Sequence, residues 1–234
     1  MMEPPAPEVP EKTGPVNLVR MVRVWMLLVA ALVLVGLACW ITMSVLNDRA
    51  GASSPTPEPP AESSSLEALV WPSRMATEHR WRHIVIHHSA TWSATPEAID
   101  RWHRQRFHED AGYHFLINNG RAAGTRDGRI TATARWIEQR PGAHCAVRGH
   151  PEFNTDGIGI CLIGHFDREQ PTAAQMASLE ALVVALAARY RIPLANIVGH
   201  GELKNTACPG NQFPMKTFLW EVRKAYLDGR GPRP

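Results

Sequence analysis

Gly157-Ile158-Gly159-Ile160-Cys161-Leu162-Ile163-Gly164 is a short apolar run closed at each end by glycine, and Thr172-Ala173-Ala174-Gln175 follows it after a polar loop. A run of this length, rich in β-branched residues, reads as a buried strand. Thr172 and Gln175 form a capping box, after which Met176, Leu179, Val183, Leu186 and Tyr190 recur on one helical face. A buried strand followed by an amphipathic helix predicts an α/β unit, a mixed central sheet flanked by helices.

Ile84 to His87 and Tyr113 to Asn118 also read as strands. Asn119-Gly120 is a hairpin signal leading into a partner at Arg121 to Gly124, and Ile197-Val198 is a further short strand. A first helix starts at Thr95-Pro96, a capping residue with proline at the first helical position, and runs to about Phe107. It carries Trp102 on the same face as Ile99, a core position. A last helix spans Lys216 to Tyr226. Trp92 and Trp136 fall in loops, where they are expected to rim a groove. No internal repeat is present, so one folded domain is expected over residues 80–227, with a disordered tail at 228–234.

The first third reads differently. No residue from Val24 to Leu46 is charged, and a helix of that length reaches roughly 30 Å, enough to cross a bilayer. A signal peptide shares the basic start, but this run exceeds a usual signal h-region and no small-residue cleavage site closes it. Arg20 and Arg23 before the span set residues 1–23 in the cytoplasm, a disordered segment, and the rest of the chain outside the membrane. Residues 47–79, rich in Pro and Ser, read as a tether. The expected location is therefore the cytoplasmic membrane, crossed once, with the folded domain on its outer side. A net charge of +3 with scattered basic residues excludes a nucleic-acid partner.

The chemistry lies in two separated motifs. His87 sits in Ile86-His87-His88-Ser89, and His200 begins a run that ends in Cys208-Pro209-Gly210. Two imidazoles and one thiolate suit an open zinc site with a fourth position for water. His88 follows His87 directly and points to the opposite face of a strand, so it is read as packed or hydrogen-bonded. His103 and His114 are read as structural, His83 as exposed at a strand start, and Glu202 as a solvated loop residue. His108-Glu109 lacks the histidine that a metalloprotease helix needs. Cys161 lies in the buried strand as a small apolar group, and no bridge to Cys145 is expected.

These motifs carry a resemblance. Ile86-His87-His88-Ser89-Ala90-Thr91, Trp102-His103, Gly112-Tyr113-His114-Phe115, Asn154 with Ile158 to Gly164, and His200 with Cys208-Pro209-Gly210 stand in the order seen in type 2 N-acetylmuramoyl-L-alanine amidases. That family includes the small phage amidase lysozymes and the peptidoglycan recognition proteins, and the likeness spans Trp81 to Trp220. It implies that His87, His200 and Cys208 hold Zn2+ and that Tyr113 lines the metal site and assists catalysis. Thr206 stands where the phage enzymes have lysine and many catalytic recognition proteins have threonine. His144 falls where the family has a loop over the substrate groove and is expected to contact substrate or the site; Asn154, in a similar position, is either a substrate contact or a turn residue capping the following strand, and Trp92, from its loop position, is a further expected substrate contact. The implied reaction is hydrolysis of the amide between N-acetylmuramic acid and L-alanine, by a monomeric domain acting on peptidoglycan or muropeptides. The alternative is a non-catalytic peptidoglycan-binding module, whose mark is loss of the cysteine ligand.

Overall fold

The computed structural model describes residues 63–228 and, before them, Met26. The expected span at Val24–Leu46, apart from Met26, lies outside the described residues, as do residues 1–23 and 229–234. Among the described residues no helix is long and apolar enough to cross a membrane.

The sheet has five strands in the order β3-β2-β4-β1-β5, with β1 at His83–His88, β2 at Phe115–Asn119, β3 at Asp127–Ala132, β4 at Gly157–Leu162 and β5 at Ile197–Gly199. β4 and β5 flank β1 in parallel, β2 runs parallel to β4, and the edge strand β3 pairs antiparallel with β2. Around it lie helices α1 (Ser63–Val70), α2 (Pro96–Phe107), α3 (Ala134–Ile137), α4 (Glu152–Thr155), α5 (Ala173–Tyr190), α6 (His200–Leu203) and α7 (Met215–Leu227).

Strand alternation sorts the side chains into two layers. On one face Ile84, Ile86, Phe115, Ile117, Ile158, Ile160 and Leu162 form the main core with Leu179, Val183 and Leu186 of α5 and Phe218 and Val222 of α7. On the other, Leu116, Cys161 and Ile163 make a smaller cluster with Ile99 of α2. His87 belongs to this second face. Register pairs Ile86 with Gly199, so His87 and His200, each one residue further on, leave neighbouring strands at the same end. The C-terminal edge of parallel strands is where open α/β sheets place their sites.

The helix starts follow the sequence closely. Thr172 Oγ1 accepts from the Gln175 backbone N–H at 3.0 Å, and Gln175 Oε1 accepts from the Thr172 N–H at 3.2 Å. The Gln175 amide also donates to Ile117 O and Ile163 O, which ties α5 to the ends of β2 and β4. Thr95 caps α2 through the Ala98 N–H, with Pro96 in the first turn.

Four expectations change. The partner of β2 starts at Asp127, not Arg121. Gly120 turns in the left-handed region (φ 69°), and a further turn closed on Ala122 O by the Thr125 N–H and hydroxyl lengthens the loop. Trp136 is fully buried on α3, its indole N–H donated to Val70 O at 2.6 Å. Trp102 is 53% exposed, because α2 turns Ile99 and His103 inward and leaves Trp102 at the rim. The end of the stretch read as tether is folded: α1 buries Val70 in the main core and packs Leu66 and Leu69 against it.

Three histidines accept backbone N–H groups, one in β4 and two in loops. His114 Nδ1 accepts from the Gly159 N–H at 2.9 Å and Nε2–H donates to Arg140 O at 3.0 Å. His103 Nδ1 accepts from Gly112 N–H, and His88 Nδ1 from Phe166 N–H. Each bond needs a neutral ring with its lone pair on Nδ1. Burial lowers all three pKa values from 6.5, that of His114 furthest. The unfolded chain therefore binds more protons just below 6.5, so stability is complete above that value and falls as pH drops through it toward the folded values. The urea midpoint of the full chain, followed by tryptophan fluorescence, is expected to be flat above neutrality and to fall on mild acidification. His114→Leu should lower stability by about 3 kcal/mol, since Gly159 N–H and Arg140 O lose their partners, and should make the acid slope shallower.

Candidate metal centre

One ligand atom each from His87, His200 and Cys208 lies within 4.8 Å of the others, and among the described residues no carboxylate joins this group. His87 is delivered by β1, buried on both sides. His200 follows β5 as the first residue of α6, whose opening Gly199 N–H is capped by Glu202 Oε1 at 2.7 Å. Glu202 thus has a local structural partner, the start of the short helix that it caps. Cys208 returns on the loop after α6, held by the Gly201 N–H on Cys208 O at 2.6 Å. A side chain at Gly201 would sit 2.7 Å from Thr206 O and 2.9 Å from Cys208 O, so this close return requires glycine.

The donor set fits a zinc ion. His87 Nδ1 lies 3.7 Å from Cys208 Sγ, near the ligand-to-ligand edge of about 3.5 Å expected for a tetrahedral zinc with one nitrogen and one sulfur. His200 Nε2 is buried with no hydrogen-bond partner among the described residues, a cost that a bound cation would remove. Burial, then the neighbouring His144, His200 and His88, holds the His87 pKa well below its ordinary value, so the ring is neutral as a ligand must be. Burial pushes the Cys208 thiol up to about 11 despite the His88 N–H directed at its sulfur at 3.4 Å. A thiolate there needs a cation beside it.

Tyr113 lies beside this group, its ring centroid 5.2 Å from that of His87. Burial, followed by the Cys161 and Cys208 sulfurs, raises its pKa well above the ordinary value, so the phenol keeps its proton. Cys161, expected as a purely apolar residue, is within hydrogen-bonding reach of that phenol and remains a free thiol, as does Cys145.

The other expected site residues are placed variously. Thr206 is exposed on the ligand loop, its hydroxyl accepting from the Cys208 N–H at 3.4 Å. Trp92 is 51% exposed, its ring 5.6 Å from the Arg121 guanidinium and 6.5 Å from the His165 ring. His144 is only 8% exposed and lies behind His87, not over a groove: His87 Nε2 is 3.0 Å from His144 Nδ1, and His144 Nε2 is 3.2 Å from Gly157 O. Both ring nitrogens are engaged inside the protein. Asn154 points inward as well, its Oδ1 accepting from the backbone N–H groups of His144 and Cys145. The sequence reading set both residues near the substrate groove and did not foresee the pairing of the His144 and His87 rings. Its signal was Gly159, a glycine inside an apolar strand, which marks a close approach.

Comparison with known proteins places this geometry. Residues 77–211 match the family model described as N-acetylmuramoyl-L-alanine amidase. The chain is 33% identical over 156 residues to the endolysin of Escherichia phage T7, an alignment covering 63% of this chain and 91% of that protein. It is 30% identical over 150 residues to a peptidoglycan-recognition protein of Drosophila simulans, covering 59% and 74%. Among solved structures it resembles the N-acetylmuramoyl-L-alanine amidase LysC from Clostridium intestinale, with 32% identity, a TM-score of 0.52, and coverage of 62% of this chain and 86% of that one. The family match spans more than half of the chain, and the ligand-bearing strand ends and the Cys208 loop all fall inside it: the chain belongs to the N-acetylmuramoyl-L-alanine amidase family.

Proposed function

We propose that this chain hydrolyses the amide joining the lactyl group of N-acetylmuramic acid to L-alanine of the peptidoglycan stem, using one zinc ion held by His87, His200 and Cys208. The observation that carries this reading is the convergence of two neutral imidazoles and a thiol within 4.8 Å, with no carboxylate among them. A zinc ion so held would lower the pKa of a bound water toward ~7 and polarise the amide carbonyl.

The chain's own groups divide the remaining work. Burial keeps His87 and His200 neutral, so neither competes with the ion for its charge. Tyr113, protonated at neutral pH, is a donor set beside His87 where negative charge develops on the carbonyl oxygen. Thr206, exposed beside Cys208, offers a hydroxyl to substrate at the open side of the loop. Trp92 presents an exposed ring suited to glycan or stem peptide, beside an Arg121 guanidinium that is paired with Glu169 at 2.6 Å. The His144 and Asn154 side chains instead support the site from inside. The presence of Cys208 favours catalysis over recognition alone, and the relatives named as endolysin and amidase lean the same way.

Anchorage through Val24–Leu46, with the domain on the outer side where peptidoglycan lies, rests on the sequence of that segment. The full chain is expected to stay with membranes through alkaline carbonate extraction and to be released when residues 24–46 are deleted; release of the intact chain would remove the span from this reading.

Purified muropeptides incubated with the zinc-loaded full chain should yield free stem peptide by mass spectrometry. The yield should be lost on chelation and in Cys208→Ala. Muropeptide binding without release would instead assign the chain to recognition. Tyr113→Phe, which keeps the ring and removes one donor, is expected to lower kcat by about 10²- to 10³-fold with KM and zinc content little changed.

A further inference from the structure

His144 has no assigned part in the chemistry, yet the loop that carries it is fastened at several points. Asn154 Oδ1 takes the N–H groups of His144 and Cys145 at 3.1 and 2.9 Å, and Asn154 O takes that of Gly142 at 2.7 Å. Arg135, itself buried, donates to Pro141 O at 2.6 Å, and the Ala143 N–H donates to Gly112 O at 3.0 Å. The ring fills a slot between Gly142 and Gly159, where a Cβ on either glycine would overlap its Cδ2 atom. A loop fastened at this many points fixes the ring in place and in plane.

The hydrogen bonds then determine where the protons are. Gly157 O can only accept, so His144 carries its proton on Nε2. A ring buried among uncharged partners, with its one proton already on Nε2, meets His87 with the lone pair on Nδ1. The group 3.0 Å away, His87 Nε2, must be the donor. His87 is left with its own lone pair on Nδ1, the nitrogen 3.7 Å from Cys208 Sγ.

We propose that His144 is a positioning residue: through the chain Gly157 carbonyl, His144, His87, it fixes the tautomer and ring plane of His87 so that Nδ1 faces Cys208 and His200 ready for the metal. The inference rests on the reading of His87 as a ligand. Partners of this kind typically contribute about 10- to 100-fold to metal affinity. The effect is carried by the protein before any ion arrives, so it is visible in the metal-free chain.

The test starts there. In the metal-free full chain with 15N-labelled histidine, NMR should show His87 protonated on Nε2 and a scalar coupling through the hydrogen bond to His144 Nδ1. Zinc affinity, read by competition with a chromophoric chelator, should fall about 10- to 100-fold in His144→Phe. It should largely recover in His144→Gln, whose amide can donate to Gly157 O and accept from His87. The proposal is overturned by a His87 proton on Nδ1, by absence of the coupling, or by equal zinc affinity in wild type and His144→Phe. Coupling without zinc uptake by the wild-type chain would remove the metal reading and leave the relay standing.

Discussion

The absent side chain at Gly159 is the constraint around which the second face of the sheet is arranged. It lies in β4 opposite Val85, two residues short of the pair that carries His87. Its N–H is accepted by the His114 ring and its carbonyl receives the His114 N–H, so β2 begins with a side chain standing in for a missing ladder bond. The space above its Cα admits the His144 ring. Any larger residue would evict that ring and with it the group hydrogen-bonded to His87. A residue that weakens a strand by its own propensity is here the one that lets a strand carry a site.

A second regularity is that the interior is built on uncharged histidine. His88, His103, His114 and His144 each accept a hydrogen bond on Nδ1, three from backbone and one from His87, and burial lowers the pKa of each. Charge is concentrated nearby in Arg135, which donates to Ala111 O and Pro141 O and pairs with Asp110 at 2.7 Å. That guanidinium joins the loop leading to Tyr113 with the loop leading to His144. A buried pair satisfied this fully contributes definition of geometry more than net stability.

What could be read in the sequence follows from how local each signal is. The capping pairs Thr172 with Gln175 and Thr95 with Pro96 are complete within four residues, and both helices start as expected. The apolar run of β4 was recognisable from residue type alone, and the three proposed ligands because their motifs stand in the order of the resembled family. Trp136 was misplaced because its fate depends on Val70, 66 residues away. Trp102 was misplaced because helical periodicity does not say how far the apolar face extends before the rim. The roles of His144 and Asn154 were hidden for the same reason: hydrogen bonds across the fold leave no periodic trace, and a polar side chain in a loop looks alike whether it faces substrate or interior.

The match to the family ends at residue 211 and starts at 77, while the core does not. Phe218, Val222 and Ala225 of α7 cover the main layer, and Val70 enters it from the other end while accepting the Trp136 indole N–H. A chain trimmed to the shared limits would retain each proposed ligand, yet it would bare the flank of α5 and strand a donor in apolar surroundings. Such a product would be prone to aggregate with its chemistry nominally intact. The stretch that reacts and the stretch that must fold differ in length, and solubility is governed by the longer.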